Sequence, residues 1–198
     1  MSAQIQEDYI SVAQFWEMEA LSDVRHEYLN GRVYAMAGGT PAHARVIFNL
    51  SGAIHAALRG HPCWGSSSDQ LVKIERSGLR TYPDILISCP PERFDADEPN
   101  ALLSPSLIVE VLSPSTQNYD RTEKWEHYRQ IPELRDYLLV SSDRVRVEHL
   151  HRDEQDQWIL WTGIERTSVL RVPALNLEIP LDEVYEGIEV PAGLTRIP

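Results

Sequence analysis

The stretch SLIVEVLS at 106–113 surrounds one carboxylate, Glu110, with five apolar residues and shows no alternation between a wet and a dry face. A strand of that kind is covered on both sides and belongs at the centre of its sheet. It calls for a fold in which further layers pack on both faces. Glu110 then carries a condition of its own. A carboxylate in a buried strand must be paired, bound to a metal or protonated, because an uncompensated charge costs several kcal/mol.

The flanking segments supply the layers. Residues 11–20, SVAQFWEMEA, read as a short amphipathic helix, with Ser11 and Gln14 at capping-box spacing and Phe15 and Met18 on one face. Two alternating runs then meet at Asn30-Gly31, the dipeptide that two-residue hairpin turns favour. Thr40-Pro41 reads as the N-cap and first position of a second helix. That helix carries Val46, Ile47, Leu50, Ile54 and Leu58 at helical spacing and stops at Gly60. CWGSS, QLVKIE and PDILIS are strands, followed by a proline- and acid-rich loop from Cys89 to about Pro105. Past the central strand, a helix is expected from about Tyr119 to Gln130. RDYLLVSS and RVRVEHLHR then form a hairpin around Ser142-Asp143, QWILWTG and TSVLRV add strands, and a last strand and short helix follow. The order gives an α/β (α+β mixed) protein: one domain over 1–198, its core at about 10–185, with a mixed β-sheet between helices and an N-terminal helix and hairpin.

A net charge of −12 argues against a general nucleic-acid coat, which draws on a basic surface. It leaves room for an enzyme whose basic residues gather around one cleft. No basic segment leads into an apolar stretch, and no window reaches about 18 uninterrupted apolar residues, so a soluble cytoplasmic protein is expected. Cys63 and Cys89 are too few for a disulfide framework and lack metal-site spacing. Of 18 basic residues, 16 are arginine and only Lys73 and Lys124 are lysine. A chain so consistent in using arginine keeps lysine where a compact, mobile ammonium is needed.

Asp84 opens a second apolar strand directly after Pro83. Two acids at neighbouring strand positions, with Lys124 arriving from the next helix, make a plausible hard-cation site. Mg²⁺ takes a couple of carboxylates and leaves its other positions to water and phosphate oxygens. The lysine could orient a water or offset phosphate charge. Simpler readings compete. Asp120 lies four residues before Lys124, so an exposed ion pair accounts for both. Glu27 reads equally as a solvated strand charge, and Trp125 and Tyr128 as packing. His149 and His151 share a strand face, as two ligands do, but no third ligand at fixed spacing is evident. AGGT at 37–40 lacks the Gly-Lys-Ser or Gly-Lys-Thr of a P-loop.

Pro83-Asp84 followed by Glu110-Val111-Leu112 resembles the PD-(D/E)XK signature of the restriction endonuclease-like superfamily. The longer string YPDILIS…PSLIVEVLSPSTQNYDRTEKWEHYRQIPELRDYLLV is more specific. With HEYLNGRVYAMAGGTPAHARV upstream and RVRVEHL downstream, it resembles the Uma-type family of bacterial restriction endonuclease-like proteins over roughly residues 10–185. The resemblance implies a restriction endonuclease-like core and a Mg²⁺- or Mn²⁺-dependent endonuclease acting on nucleic acid, DNA ahead of RNA. It makes Asp84 and Glu110 metal ligands, joined by the carbonyl of Val111. The usual lysine position, two residues after the acid, holds Leu112, and Lys124 matches a lysine migrated to the following helix. Glu27 matches the family's early glutamate, which completes the acidic cluster. His43 matches its recurrent histidine, a contact to phosphate or metal-bound water. Two rivals stay open: a non-catalytic binding or assembly module on the nuclease fold, and a metal-dependent hydrolase of small phosphorylated molecules. Arg25, Arg32, Arg45 and Arg121 gathered on the Asp84 face would favour the nuclease, and exposed apolar area on an edge strand would indicate a homodimer.

Overall fold

The computed structural model describes residues 9–190 apart from Ala37 and Ser115. The ends of the expected 1–198 domain, and Ala37 of the AGGT turn, lie outside the described residues. The chain runs α1 (Val12–Leu21), β1 (His26–Leu29), β2 (Arg32–Ala35), α2 (Pro41–Ala57), β3 (Trp64–Ser67), β4 (Val72–Lys73), β5 (Arg80–Thr81), β6 (Ile85–Ser88) and β7 (Pro105–Leu112). A helical stretch follows: α3 (Gln117–Tyr119), a π-helical turn (Asp120–Lys124) and α4 (Trp125–Tyr128). Then come β8 (Asp136–Ser141), β9 (Val147–Arg152), β10 (Trp158–Gly163), β11 (Val169–Val172), a 3₁₀ turn (Pro173–Leu175), β12 (Leu177–Pro180) and α5 (Leu181–Val184).

Six strands form the principal sheet in the order β10-β9-β8-β7-β6-β3. β7 is central, as its sequence requires. It pairs antiparallel with β6 and parallel with β8, while the other neighbours are antiparallel. A parallel pair cannot be closed by a tight turn; it needs a crossover of a dozen or more residues, usually helical. The 117–128 helix is that crossover, so it is carried back over the sheet close to the strand it has just left.

The pleat divides β7 into two sets. Leu107, Val109 and Val111 pack with Ile85, Ile87, Leu138, Val140 and Val147 beneath Val46, Leu50 and Ile54 of α2. Ile108 and Leu112 pack with Leu86, Leu139, Tyr137, Tyr128 and Ile131 beneath the crossover. Glu110 belongs by parity to this second set and is buried within it.

A smaller sheet, β2-β1-β5-β4, stands apart from the principal one, a division that strand patterns alone do not disclose. Its β1–β2 hairpin turns at Asn30-Gly31, both at positive φ, as anticipated. α1 has the expected capping box, but its buried residues are Phe15 and Glu19, while Met18 is exposed. Tertiary pairing overrides the apolar pattern here: Glu19 is turned inward toward the ring of His26, 2.9 Å away. The two cysteines form one disulfide, Cys63–Cys89, tying the segment before β3 to the end of β6. No described helix is long and apolar enough to cross a membrane.

Candidate active site

The antiparallel register pairs Ile85 with Val109, so Asp84, one residue before β6, comes level with Glu110. Asp84 Oδ2 accepts a hydrogen bond from the Val111 N–H at 2.7 Å, which fixes the carboxylate beside the central strand. His43, in the first turn of α2, brings Nε2 to 3.5 Å from the same oxygen. A Cβ on Gly39 would collide with the His43 ring, so the glycine turn lets the chain pass against it. From the other side, β1 presents Glu27 and the crossover presents Lys124. All five expected residues, together with Val111, line one cleft of about 620 Å³.

Lys124 is the centre of charge. Its Nζ lies 2.8 Å from Glu27, 3.1 Å from Glu110 and 3.5 Å from Asp120. The Asp120–Lys124 pair is therefore buried, not the exposed surface pair that its spacing also allows. The π-helical turn spans these two residues, an irregularity that often marks functional sites. Two further partners escaped the sequence reading. The Tyr128 hydroxyl donates to Glu110 Oε1 at 2.7 Å, and the Thr81 hydroxyl donates to Glu27. Asp120, Lys124 and Tyr128 follow an i, i+4, i+8 spacing, so a one-sided stripe was present in the sequence. Only the strand beneath it reveals its purpose.

The protonation states follow from this crowding. Burial favours the neutral amine of Lys124, but Glu110, Glu27 and Asp120 outweigh it and hold the pKa well above the usual lysine value. Burial also pushes Glu27 upward, yet Lys124 and the hydroxyl donors prevail and keep it below the usual carboxylate range. Glu110 goes the other way. Burial, against the attraction of Lys124 but with repulsion from Asp120 and Asp84, pushes it up to about 8. Asp120 is likewise raised by burial, against Lys124. His43 is raised because Asp84 more than offsets its burial. One lysine cannot serve three buried carboxylates, and the proton settles on Glu110.

Hard oxygen donors and an excess of carboxylate are the chemistry that suits a divalent cation. The residues fit such an ion. Among the described residues of the cleft, no three His or carboxylate ligand atoms lie within 4.8 Å of one another. Two protein oxygens with water completing the shell is the arrangement Mg²⁺ adopts.

The gathering of arginines that would favour the nuclease over its rivals is not seen: among the described residues none lines the cleft. Arg25 pairs with Asp69, Arg45 donates to the Gly187 carbonyl, Arg121 pairs with Glu148, and Arg32 lies on the outer strand β2. A slightly larger hollow of about 680 Å³ lies between Trp16, Tyr82 and Phe94. Its Glu98 is already held by Arg80 and Lys73.

A family model described as "Uma2: Putative restriction endonuclease" matches residues 12–182. The uncharacterized protein slr1290 of Synechocystis sp. is 32% identical over 179 residues, covering 90% of this chain and 93% of that protein. The uncharacterized protein sll1609 of the same organism is 31% identical over 151 residues, 76% and 85% of the two chains. The crystal structure of a "putative nuclease" of family DUF820 from Anabaena variabilis superposes with a TM-score of 0.67 at 16% identity, over 82% of this chain and 90% of that one. The last match shows the shared fold.

The raised Glu110 pKa has a consequence for stability. The folded state binds this proton more tightly than the unfolded chain, whose value is near 4.5. The contribution is therefore full below about pH 4.5 and is lost as the pH rises through about 8. In chelator, Glu110→Gln should gain at least about 1 kcal/mol on the wild type between pH 5 and pH 8, read from urea midpoints. Parallel pH profiles for the two proteins would contradict the buried proton.

Proposed function

The chain belongs to the Uma2 family, and on that footing we propose that it is a divalent-metal-dependent endonuclease hydrolysing the phosphodiester bonds of DNA. The observation that carries this reading is Glu110: a buried carboxyl level with Asp84, protonated beside a charged lysine, in an open cleft. Asp84 and Glu110 would hold Mg²⁺ or Mn²⁺, with the Val111 carbonyl beside them. Such an ion supplies charge neutralisation at the phosphate and a water acidic enough to attack it.

The chain's own groups do the rest. The Val111 N–H and His43 fix the orientation of Asp84. Lys124, fully charged, offsets negative charge developing on the phosphoryl oxygens. Glu27 contacts Lys124 more closely than Glu110 does, so its role is to position that ammonium. His43, kept readily protonated by Asp84, would contact a phosphate oxygen. The lysine reaches the site from the crossover helix, which makes Leu112 at the usual lysine position compatible with the chemistry.

The arginine-free lining and the net charge of −12 favour one alternative: hydrolysis of a small phosphorylated molecule, which needs no long basic track. Plasmid DNA, single-stranded DNA, RNA and a phosphomonoester, each with Mg²⁺ or Mn²⁺, separate the readings. DNA cleavage is expected, reduced at least about 100-fold in both Asp84→Asn and Lys124→Ala. Turnover of the phosphomonoester alone would establish the alternative, and no turnover of any substrate would leave a binding module on a nuclease fold.

Edge strand β10 exposes Ile159 and Leu160, on opposite faces, and this supports a homodimer paired through that edge. Sedimentation equilibrium should return twice the chain mass, and Leu160→Lys should restore the monomer. A monomeric wild type would remove the proposal.

A further inference from the structure

Asp136, His149 and His151 form a second constellation. β8 and β9 pair antiparallel with Asp136 opposite His151, and His149 lies two residues before it. The pleat therefore directs all three side chains to one face. That face carries Leu138, Val140 and Val147, whereas Glu110 lies on the other, with Ile108 and Leu112. Asp136 Oδ1 lies 2.7 Å from His149 Nε2 and 2.8 Å from His151 Nδ1. Asp136 and His149 are buried and His151 is partly open. Beside them is a cavity of about 220 Å³ walled by Trp161, Val169, Arg171 and Pro173. Among the described residues, this is the one grouping of three ligand atoms that all lie within 4.8 Å of one another.

We propose that Asp136, His149 and His151 bind a divalent transition-metal ion of the zinc class, with a fourth position open to the cavity. Two imidazole nitrogens and one carboxylate oxygen are the ligand set of open zinc sites, softer than the oxygen set that suits Mg²⁺. The two contacts to Asp136 are already close to metal-site spacing. Bonds of about 2.0 Å place tetrahedral ligand atoms about 3.3 Å apart, so each contact to Oδ1 must lengthen by only about half an ångström. The ion replaces the ring protons now directed at Oδ1. Asp136 and His149 are held by the packed sheet, and His151, on the open side, supplies the adjustment. The sequence reading stopped at two histidines because the third ligand comes from the neighbouring strand, at a distance that only the register fixes.

A hydrogen-bonded triad that never takes up metal is the competing account, and Co²⁺ as a spectroscopic stand-in separates the two. The full-length chain, free of any affinity tag, is titrated while visible ligand-field absorption is followed. The intense visible band of tetrahedral Co²⁺, saturating at one equivalent and abolished by Zn²⁺, is expected in both the wild type and Asp84→Asn, since an ion at the oxygen-lined cleft adds only weak absorption. Binding at least about tenfold weaker is expected in His151→Ala. His151→Gln keeps a polar side chain should the alanine variant fold poorly, and the same loss is expected. Absence of a saturable band, undiminished binding in both His151 variants, or loss of the band in Asp84→Asn would each overturn the site. Because Asp84→Asn removes the candidate active site alone, failure of the nuclease reading leaves this result intact.

Discussion

The ammonium of Lys124 ties the parts of this molecule together. It is buried, and its three carboxylate partners come from a hairpin of the smaller sheet, the central strand and its own helix. Taking such charges out of water is costly, and the attraction between them returns that cost only when the geometry is good. Removing the lysine would leave buried carboxylates without their cation, typically at about 3–5 kcal/mol. The cluster therefore fixes how hairpin, crossover and central strand sit against one another. It also leaves one buried carboxyl, Glu110, too crowded to ionise at neutral pH.

Topology explains why Lys124 can stand where it does. β7 and β8 are parallel neighbours, so the chain between them must cross back over the sheet. A lysine on that crossover reaches the same carboxylate that one two residues along the strand would reach. The position vacated at Leu112 is then free for packing, and Leu112 is part of the core beneath Tyr128. Around the cleft the arginines are engaged elsewhere, which leaves Lys124 and His43 as its basic residues. On the proposed function, metal and substrate binding are linked, because an acidic cleft has weak attraction for phosphate until a cation is present.

Much of this was legible in the sequence, for local reasons. Glu110 stood out because an apolar strand has no place for a carboxylate. Asp84 stood out at the head of the adjoining strand, and the turn at Asn30-Gly31 and the cap at Thr40-Pro41 were set by backbone chemistry. What stayed hidden depends on contacts between distant segments. The inward turn of Glu19, the Thr81 hydroxyl on Glu27, the Cys63–Cys89 link and the convergence of Asp136 with two histidines all arise from strand register or sheet packing. Asp120 was visible but its burial was not, because an i,i+4 acid–lysine pair looks the same on a wet face as on a dry one.

In the proposed site, the proton on Glu110 occupies the position that a divalent cation would take. Calorimetric titration of Mn²⁺ at pH 7, in buffers of different ionisation enthalpy, counts the protons released on binding. About one proton per Mn²⁺ is expected from the wild type and close to none from Glu110→Gln. Binding without proton release, or the same release from both proteins, would contradict it.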